Sequence, residues 1–400
     1  MSNLYRYEKF INIVKYFTTG NTSAINSITR DINWIEIFQE FQNHSITTLA
    51  IDSINVIEIP EDIKKMWKED IIKQVSYITK LLHAQNDISN CLDSYCVNWS
   101  VLKGSSAALY YPNPYQRAFG DIDILVAEND YDKATELLSN IGFSFGRNIY
   151  KYDRHITARK NSIALELHHF FANTRSNGKD RILNDLLFNS LPNCRTETIG
   201  NFTFKSLPDL EMGIVLIAHI HHHLRTGIGL RQILDFIMYT EKVLDDNFWN
   251  SAFKSVARSL GYETLCKAVV RIGQLYFGLC DSILWCKDID DSIAIELLEL
   301  ALDQGDLGNK STRDFNPTIR VLNKLNEGFF NFIKYEHASG MKNWKLAQKI
   351  KLLEPFAWIY GVGRHIGKTL MDKGGIANLY SNKLKSKKQS SLLDKINKSN

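Results

Sequence analysis

Between Gly120 and Val126 the chain reads GDIDILV, two aspartates one residue apart in a run that otherwise has the character of a buried strand. Ionised carboxylates are costly to bury, so such a segment folds only if both aspartates share a face that meets something positive. Strand side chains alternate sides, which puts Asp121 and Asp123 on one face and leaves Ile122, Ile124 and Val126 to pack on the other. A sheet with one apolar and one cation-seeking face is the first constraint on the fold. A hard divalent ion such as Mg2+, with Mn2+ as a substitute, accepts carboxylate oxygens and keeps positions open for phosphates.

A two-metal site needs a third acid, and ALELHH offers Glu166 between Leu165 and Leu167. The same alternation puts His168 on the side of Glu166. Upstream, VLKGSSAAL supplies a complementary half. Gly104 permits a sharp turn, Ser105 and Ser106 open a helix whose N–H groups favour an anion, and Lys103 adds positive charge. A cation on the aspartates and a phosphate on the helix start describe a nucleoside triphosphate held for attack at phosphorus. A bare D-x-D arises by chance about once in a chain of this length, and Asp288 and Asp290 in KDIDDS form a second one. That pair has no glycine-serine loop upstream and no apolar run after it, so it reads as a turn or helix cap.

The surrounding chain is helical by period. PEDIKKMWKEDIIKQVSYITKLLHAQNDISNCLDSY predicts one long amphipathic helix with proline at its start. Strand and helix patterns then interleave from about Cys96 to Lys205, ending in a hairpin turned at Gly200 and Asn201. Helices follow, the first expected to be capped by Ser206 with Asp209 three residues on. We therefore expect an α+β chain: N-terminal helices over 1–95, a mixed α/β core over 96–205, a helical C-terminal domain over 206–382 and a basic, disordered tail over 383–400. A loop is expected around Gly305 to Thr318, and Phe329, Phe330, Phe332 and Tyr335 have the spacing of core residues.

Charge qualifies the partners. The net charge of +4 belongs to the last eighteen residues, whose six lysines and one aspartate leave the remainder near neutral. A long nucleic acid is thus disfavoured as a substrate. No apolar run approaches the ~20 residues that cross a bilayer, and the N-terminus lacks a cleavage signal, so no membrane partner and a cytoplasmic location are expected. The six cysteines lack CxxC spacing, which argues for reduced thiols rather than disulfides or a zinc ribbon.

The ordered series of glycine-serine loop, D-x-D strand and later carboxylate resembles the nucleotidyltransferase fold of the DNA polymerase β superfamily. LKGSSAALYYPNPYQRAFGDIDILV, ELHHFF and HIHHHLRTGIGLRQILDF are similar to a bacterial family of uncharacterised nucleotidyltransferases, over about Val101 to Phe236. The ending LLEPFAWIYGVGR is reminiscent of it less specifically. The resemblance implies that Gly104 and Ser105 bind triphosphate, that Asp121 and Asp123 hold metal, and that Glu166 completes the acidic triad. It further implies attack of an acceptor hydroxyl on the α-phosphorus of an NTP such as ATP, with loss of pyrophosphate.

Other candidates carry two readings each. Arg117 suits a phosphate through its forked guanidinium or is a surface arginine. His168 orients a ligand or sits satisfied in the core. His223 faces the cleft beside Arg231 and Asp235, with Arg231 meeting a phosphate and Asp235 orienting it, or the last two form an ordinary i, i+4 ion pair. His219 and His223, four apart on a helix, suggest zinc but lack a third ligand and the H-E-x-x-H glutamate. The leading expectation is transfer of an NMP to a small molecule, a protein or a tRNA end. The rivals are a catalytically silent nucleotide-binding module of the same fold, and a zinc hydrolase.

Overall fold

In the computed structural model, which describes residues 3–21, 32–146, 154–172, 178–224, 227–306, 325, 328–371 and 379–398, GDIDILV ends in the central strand β2 (Ile122–Val126). β2 lies in a seven-stranded sheet with β1 (Trp99–Val101), β3 (Ser144–Phe145), β4 (His155–Lys160), β5 (Ile163–His168), β6 (Arg195–Ile199) and β7 (Phe202–Ser206). The order is β3-β4-β5-β2-β1-β7-β6. β2 runs parallel to β5 and β1 parallel to β7, while β1–β2, β4–β5 and β6–β7 are antiparallel. The sheet is mixed, as expected for the α/β core.

The alternation read from sequence holds. Ile122, Ile124 and Val126 join Leu165, Leu167, Trp99 and Val101 in one apolar cluster against the second half of α3 (Glu61–Ser94) and α5 (Tyr131–Asn140). The opposite face carries Asp123, Glu166 and His168. α3 is a single unbroken helix of 34 residues begun at Pro60, with Glu61 and Asp62 in the first turn where the helix dipole favours acids. Its Ile63, Trp67 and Ile71 bury in a second cluster, with α1 (Glu8–Thr19) and α2 (Trp34–Asn43). Residue 95 thus marks the end of a helix whose two halves serve different cores.

That second cluster also holds α6 (Gly178–Ser190), α7 (Asp209–His223), α8 (Leu230–Lys242), α9 (Lys254–Leu260), α10 (Glu263–Ile272) and α11 (Asp291–Gln304). Between β1 and β2, α4 (Ser105–Ala108) is only one turn long. Ser206 does not cap α7. It pairs with Val101 at the end of β7, and Pro208 stands at the cap position. Asp290 caps α11, accepting from the Ser292 amide at 2.8 Å, and Asp288 pairs with Lys267 at 2.8 Å, so the second D-x-D is a cap and a surface pair. Most of the expected loop, from 307 to 318, lies outside the described residues.

Two further expectations are corrected. Phe329 and Phe330 are exposed rather than core. They open α12 (Phe329–Asn343), which meets α13 (Ala357–Met371) through its small face. There a Cβ on Gly340 would run into the carbonyl of Ala357, and Tyr335 stacks on the His365 ring of α13. The basic end is not disordered from residue 383 either. It forms α14 (Leu379–Lys398), which buries Leu392, Leu393 and Ile396 and pairs Lys388 and Lys395 with Glu299 and Glu296 of α11 at 3.0 and 2.6 Å. Its lysines give the segment a solvated composition, but three apolar residues on one helical face decide its position. Ile396→Ala should lower the unfolding free energy by about 2–5 kcal/mol in denaturant titrations; an unpacked tail would leave the midpoint unmoved.

Candidate active site

Parallel pairing sets the acidic cluster. Asp123 stands opposite Glu166 across β2 and β5, and Asp121 immediately precedes β2 on the same face. The three residues each present a carboxylate oxygen such that the set lies within 4.8 Å. Lys103 Nζ is 2.9 Å from Asp123 Oδ2, and His168 Nε2 is 3.2 Å from Asp123 Oδ1 and 3.5 Å from Glu166. The structure brings these five side chains together.

The electrostatics follow from crowding. Burial pushes the Asp123 carboxyl up, but the Lys103 ammonium and the His168 imidazole outweigh it and hold Asp123 far below the usual carboxylate range. Asp121 shifts the other way, raised by burial and by the charge of Asp123, with Lys103 and Arg231 drawing it partly back. Lys103 and His168 lose charge preference through burial yet are raised overall, because Asp123 and its acidic neighbours favour their charged forms. His168 Nδ1 lies 3.4 Å from the Phe170 carbonyl oxygen, so both ring nitrogens face acceptors.

A pocket of hard oxygen donors that already draws an ammonium onto Asp123 fits a divalent cation. Asp121, Asp123 and Glu166 are the residues that would hold it.

The turn before β2 completes the cleft. Gly104 has φ +62, a left-handed conformation, and a Cβ there would press on the Phe119 ring at 3.4 Å. The Leu102 amide donates to the Asp123 carbonyl at 3.0 Å, locking the turn against the acidic strand. Ser105 is fully buried and its hydroxyl donates to Gln85 of α3 at 2.8 Å, so it anchors the turn to the core. With a helix of one turn behind it, the turn can offer an anion backbone amides rather than a dipole.

A family model for uncharacterised nucleotidyltransferases matches residues 30–278. The chain belongs to this family. The match reaches from α2 past α10 and so takes in N-terminal helices that carry no motif of their own. No protein of curated function matches the chain.

In this member of the family, Arg117 and Asp235 pair with each other. Arg117 Nε and Nη2 donate to the two Asp235 oxygens at 3.1 and 2.7 Å, and the Tyr111 hydroxyl donates to the same carboxylate at 2.9 Å, all buried. The guanidinium fork expected for a phosphate is engaged by a carboxylate, and Asp235 orients Arg117 rather than Arg231. Arg231 instead meets Asp306 at 2.8 Å and donates to the Ala118 carbonyl at 3.0 Å, at the edge of the acidic cluster.

His219 and His223 face each other, Nε2 to Nε2, at 2.9 Å. Among the described residues no third donor joins them in a ligand-spaced group, which leaves a zinc hydrolase built on this histidine pair without a site. Sequence reasoning missed His155. It sits directly opposite His168 across β4 and β5, and the alternation of HITARK already put it on the face of Thr157, but the register that brings it to Glu166 is not readable from a single strand.

Two outcomes follow. Asp235→Ala should cost about 3–5 kcal/mol of stability, because it strands the buried Arg117 charge; a midpoint unchanged in denaturant would mean that Arg117 is free to serve a ligand. Burial and the charge of Lys103 push His223 down to about 4 from its ordinary 6.5. The unfolded chain therefore binds this proton first, and stability is lost as pH falls from 6.5 towards 4, by about 3 kcal/mol at most. His223→Gln should flatten that part of the stability–pH curve.

Proposed function

We propose that the protein transfers a nucleoside monophosphate from a nucleoside triphosphate to an acceptor hydroxyl, with release of pyrophosphate, in a reaction that depends on Mg2+ or Mn2+. The observation that carries this reading is the meeting of Asp121, Asp123 and Glu166 on one sheet face beside the Gly104 turn. Membership of the nucleotidyltransferase family supports the same reaction class.

Divalent metal, when bound to the three carboxylates, supplies charge neutralisation at the phosphates and acidifies the acceptor hydroxyl. The chain does the rest. Glu166, or a water beside it, accepts the proton of the attacking hydroxyl. The acceptor oxygen then bonds to the α-phosphorus as the bond from that phosphorus to the bridging oxygen of the leaving pyrophosphate breaks. Lys103, which pairs with Asp123, has a flexible stem that carries its charge to the triphosphate once released. The Gly104–Ser105 backbone cradles a phosphate, and Arg231, His168 and the neutral His223 line the cleft. A near-neutral body favours a small molecule, a protein side chain or a tRNA end over a long nucleic acid as acceptor.

Incubation with each α-labelled NTP, Mg2+ or Mn2+ and a cell extract should give pyrophosphate and a labelled product. Asp121→Asn, Asp123→Asn and Glu166→Gln should each reduce labelling about 100-fold or more while the fold survives. Nucleotide binding without labelling, unaffected by all three substitutions and by chelation, would instead identify a silent nucleotide-binding module.

A further inference from the structure

We propose that His155, Glu166 and His168 form a second metal site, selective for a zinc-class transition ion and sharing Glu166 with the carboxylate site. Their donor atoms lie within 4.8 Å of one another, each in reach of a common centre. His155 Nε2 is 3.5 Å from Glu166 Oε1, and His168 Nε2 is 3.5 Å from Glu166 Oε2, one imidazole nitrogen on each carboxylate oxygen. Those separations are too long for strong hydrogen bonds. They match the edge of a ligand tetrahedron, since two donors about 2.1 Å from a common ion sit about 3.4 Å apart.

Three features of the fold build this geometry. His155 and His168 are paired residues of the antiparallel β4–β5 ladder, so both rings rise from the same face, with centroids 4.7 Å apart. His168 Nδ1 faces the Phe170 carbonyl oxygen at 3.4 Å. When an ion takes the place of the proton on Nε2, Nδ1 is left to donate to that oxygen, the outer-shell arrangement characteristic of metal-bound histidine. The other nitrogen of His155, Nδ1, is buried and, among the described residues, has no hydrogen-bond partner. Asp123 Oδ1, 3.2 Å from His168 Nε2, or a water supplies the fourth position.

Donor chemistry separates the two sites. Three carboxylates suit Mg2+, whereas two imidazoles and one carboxylate suit Zn2+ and ions like it. Glu166, flanked by Asp123 on β2 and by Thr157 on β4, stands at their boundary.

The site is tested by binding, without turnover, so failure of the transfer reaction leaves the result readable. The metal-stripped 400-residue chain is titrated calorimetrically with ZnCl2 and, separately, with MgCl2. The wild type should bind Zn2+ in preference to Mg2+, and His155→Gln should weaken Zn2+ about tenfold or more while leaving Mg2+ unaltered. Co2+ in the wild type should show the intense visible absorption of a four- or five-coordinate site with nitrogen ligands, and lose it in His155→Gln. Circular dichroism checks that the variant is folded, and His155→Asn provides a second probe at this half-exposed position. Equal Zn2+ affinity in wild type and both variants, or a wild-type Co2+ spectrum of the weak six-coordinate oxygen type, would overturn the proposal.

Discussion

Three carboxylates on one face of a sheet repel one another, and their burial multiplies the cost because water no longer screens them. The fold answers with Lys103, held 2.9 Å from Asp123 by a turn whose backbone is itself tied to the acidic strand through the Leu102 amide. Placing that ammonium requires Gly104 in a left-handed conformation against Phe119 and a fully buried Ser105 fastened to α3 through Gln85. The acidic face, the turn and the long helix behind them are therefore one electrostatic unit, and each would be strained without the others.

The strand character of GDIDILV, the face carrying Asp121 and Asp123 and the side of Glu166 and His168 were legible because alternation is local and has a period of two. The parallel neighbour that sets Asp123 beside Glu166 is a non-local choice, and sequence order suggested it without determining it. His155 escaped for the same reason, since its meeting with Glu166 depends on the β4–β5 register. Arg117 and Asp235, 118 positions apart, show the limit most plainly. Local spacing joined Asp235 to Arg231 four residues earlier, while tertiary packing joined it to Arg117 and gave Arg231 to Asp306. The basic end of the chain misled through composition, which counts lysines and does not weigh where Leu392, Leu393 and Ile396 fall on a helix.

The Arg117–Asp235–Tyr111 cluster has a mechanical meaning. Arg117 and Tyr111 belong to the connection between β1 and β2, and Asp235 to α8, so a buried bidentate ion pair bolts the helical half of the molecule to the segment that leads into the acidic strand. Arg231, one turn earlier on α8, reaches the Ala118 carbonyl on the same connection. The polar edge of the cleft is thereby set by the helices, and its acidic floor by the sheet.

α3 spans about 51 Å if straight, and α1 and α2 bury their faces beside its first half together with residues from far along the chain. Leu230 donates its amide to His44 at 3.2 Å, Arg6 pairs with Asp303, and Leu302 and Leu392 share the cluster of Phe10 and Phe41. During synthesis the first hundred residues leave the ribosome with apolar faces whose complements have not yet been made. Those faces stay open until the helices that cover them have been made, so the early segments gain their core through long-range contacts, the kind that form slowly and leave apolar surface exposed meanwhile.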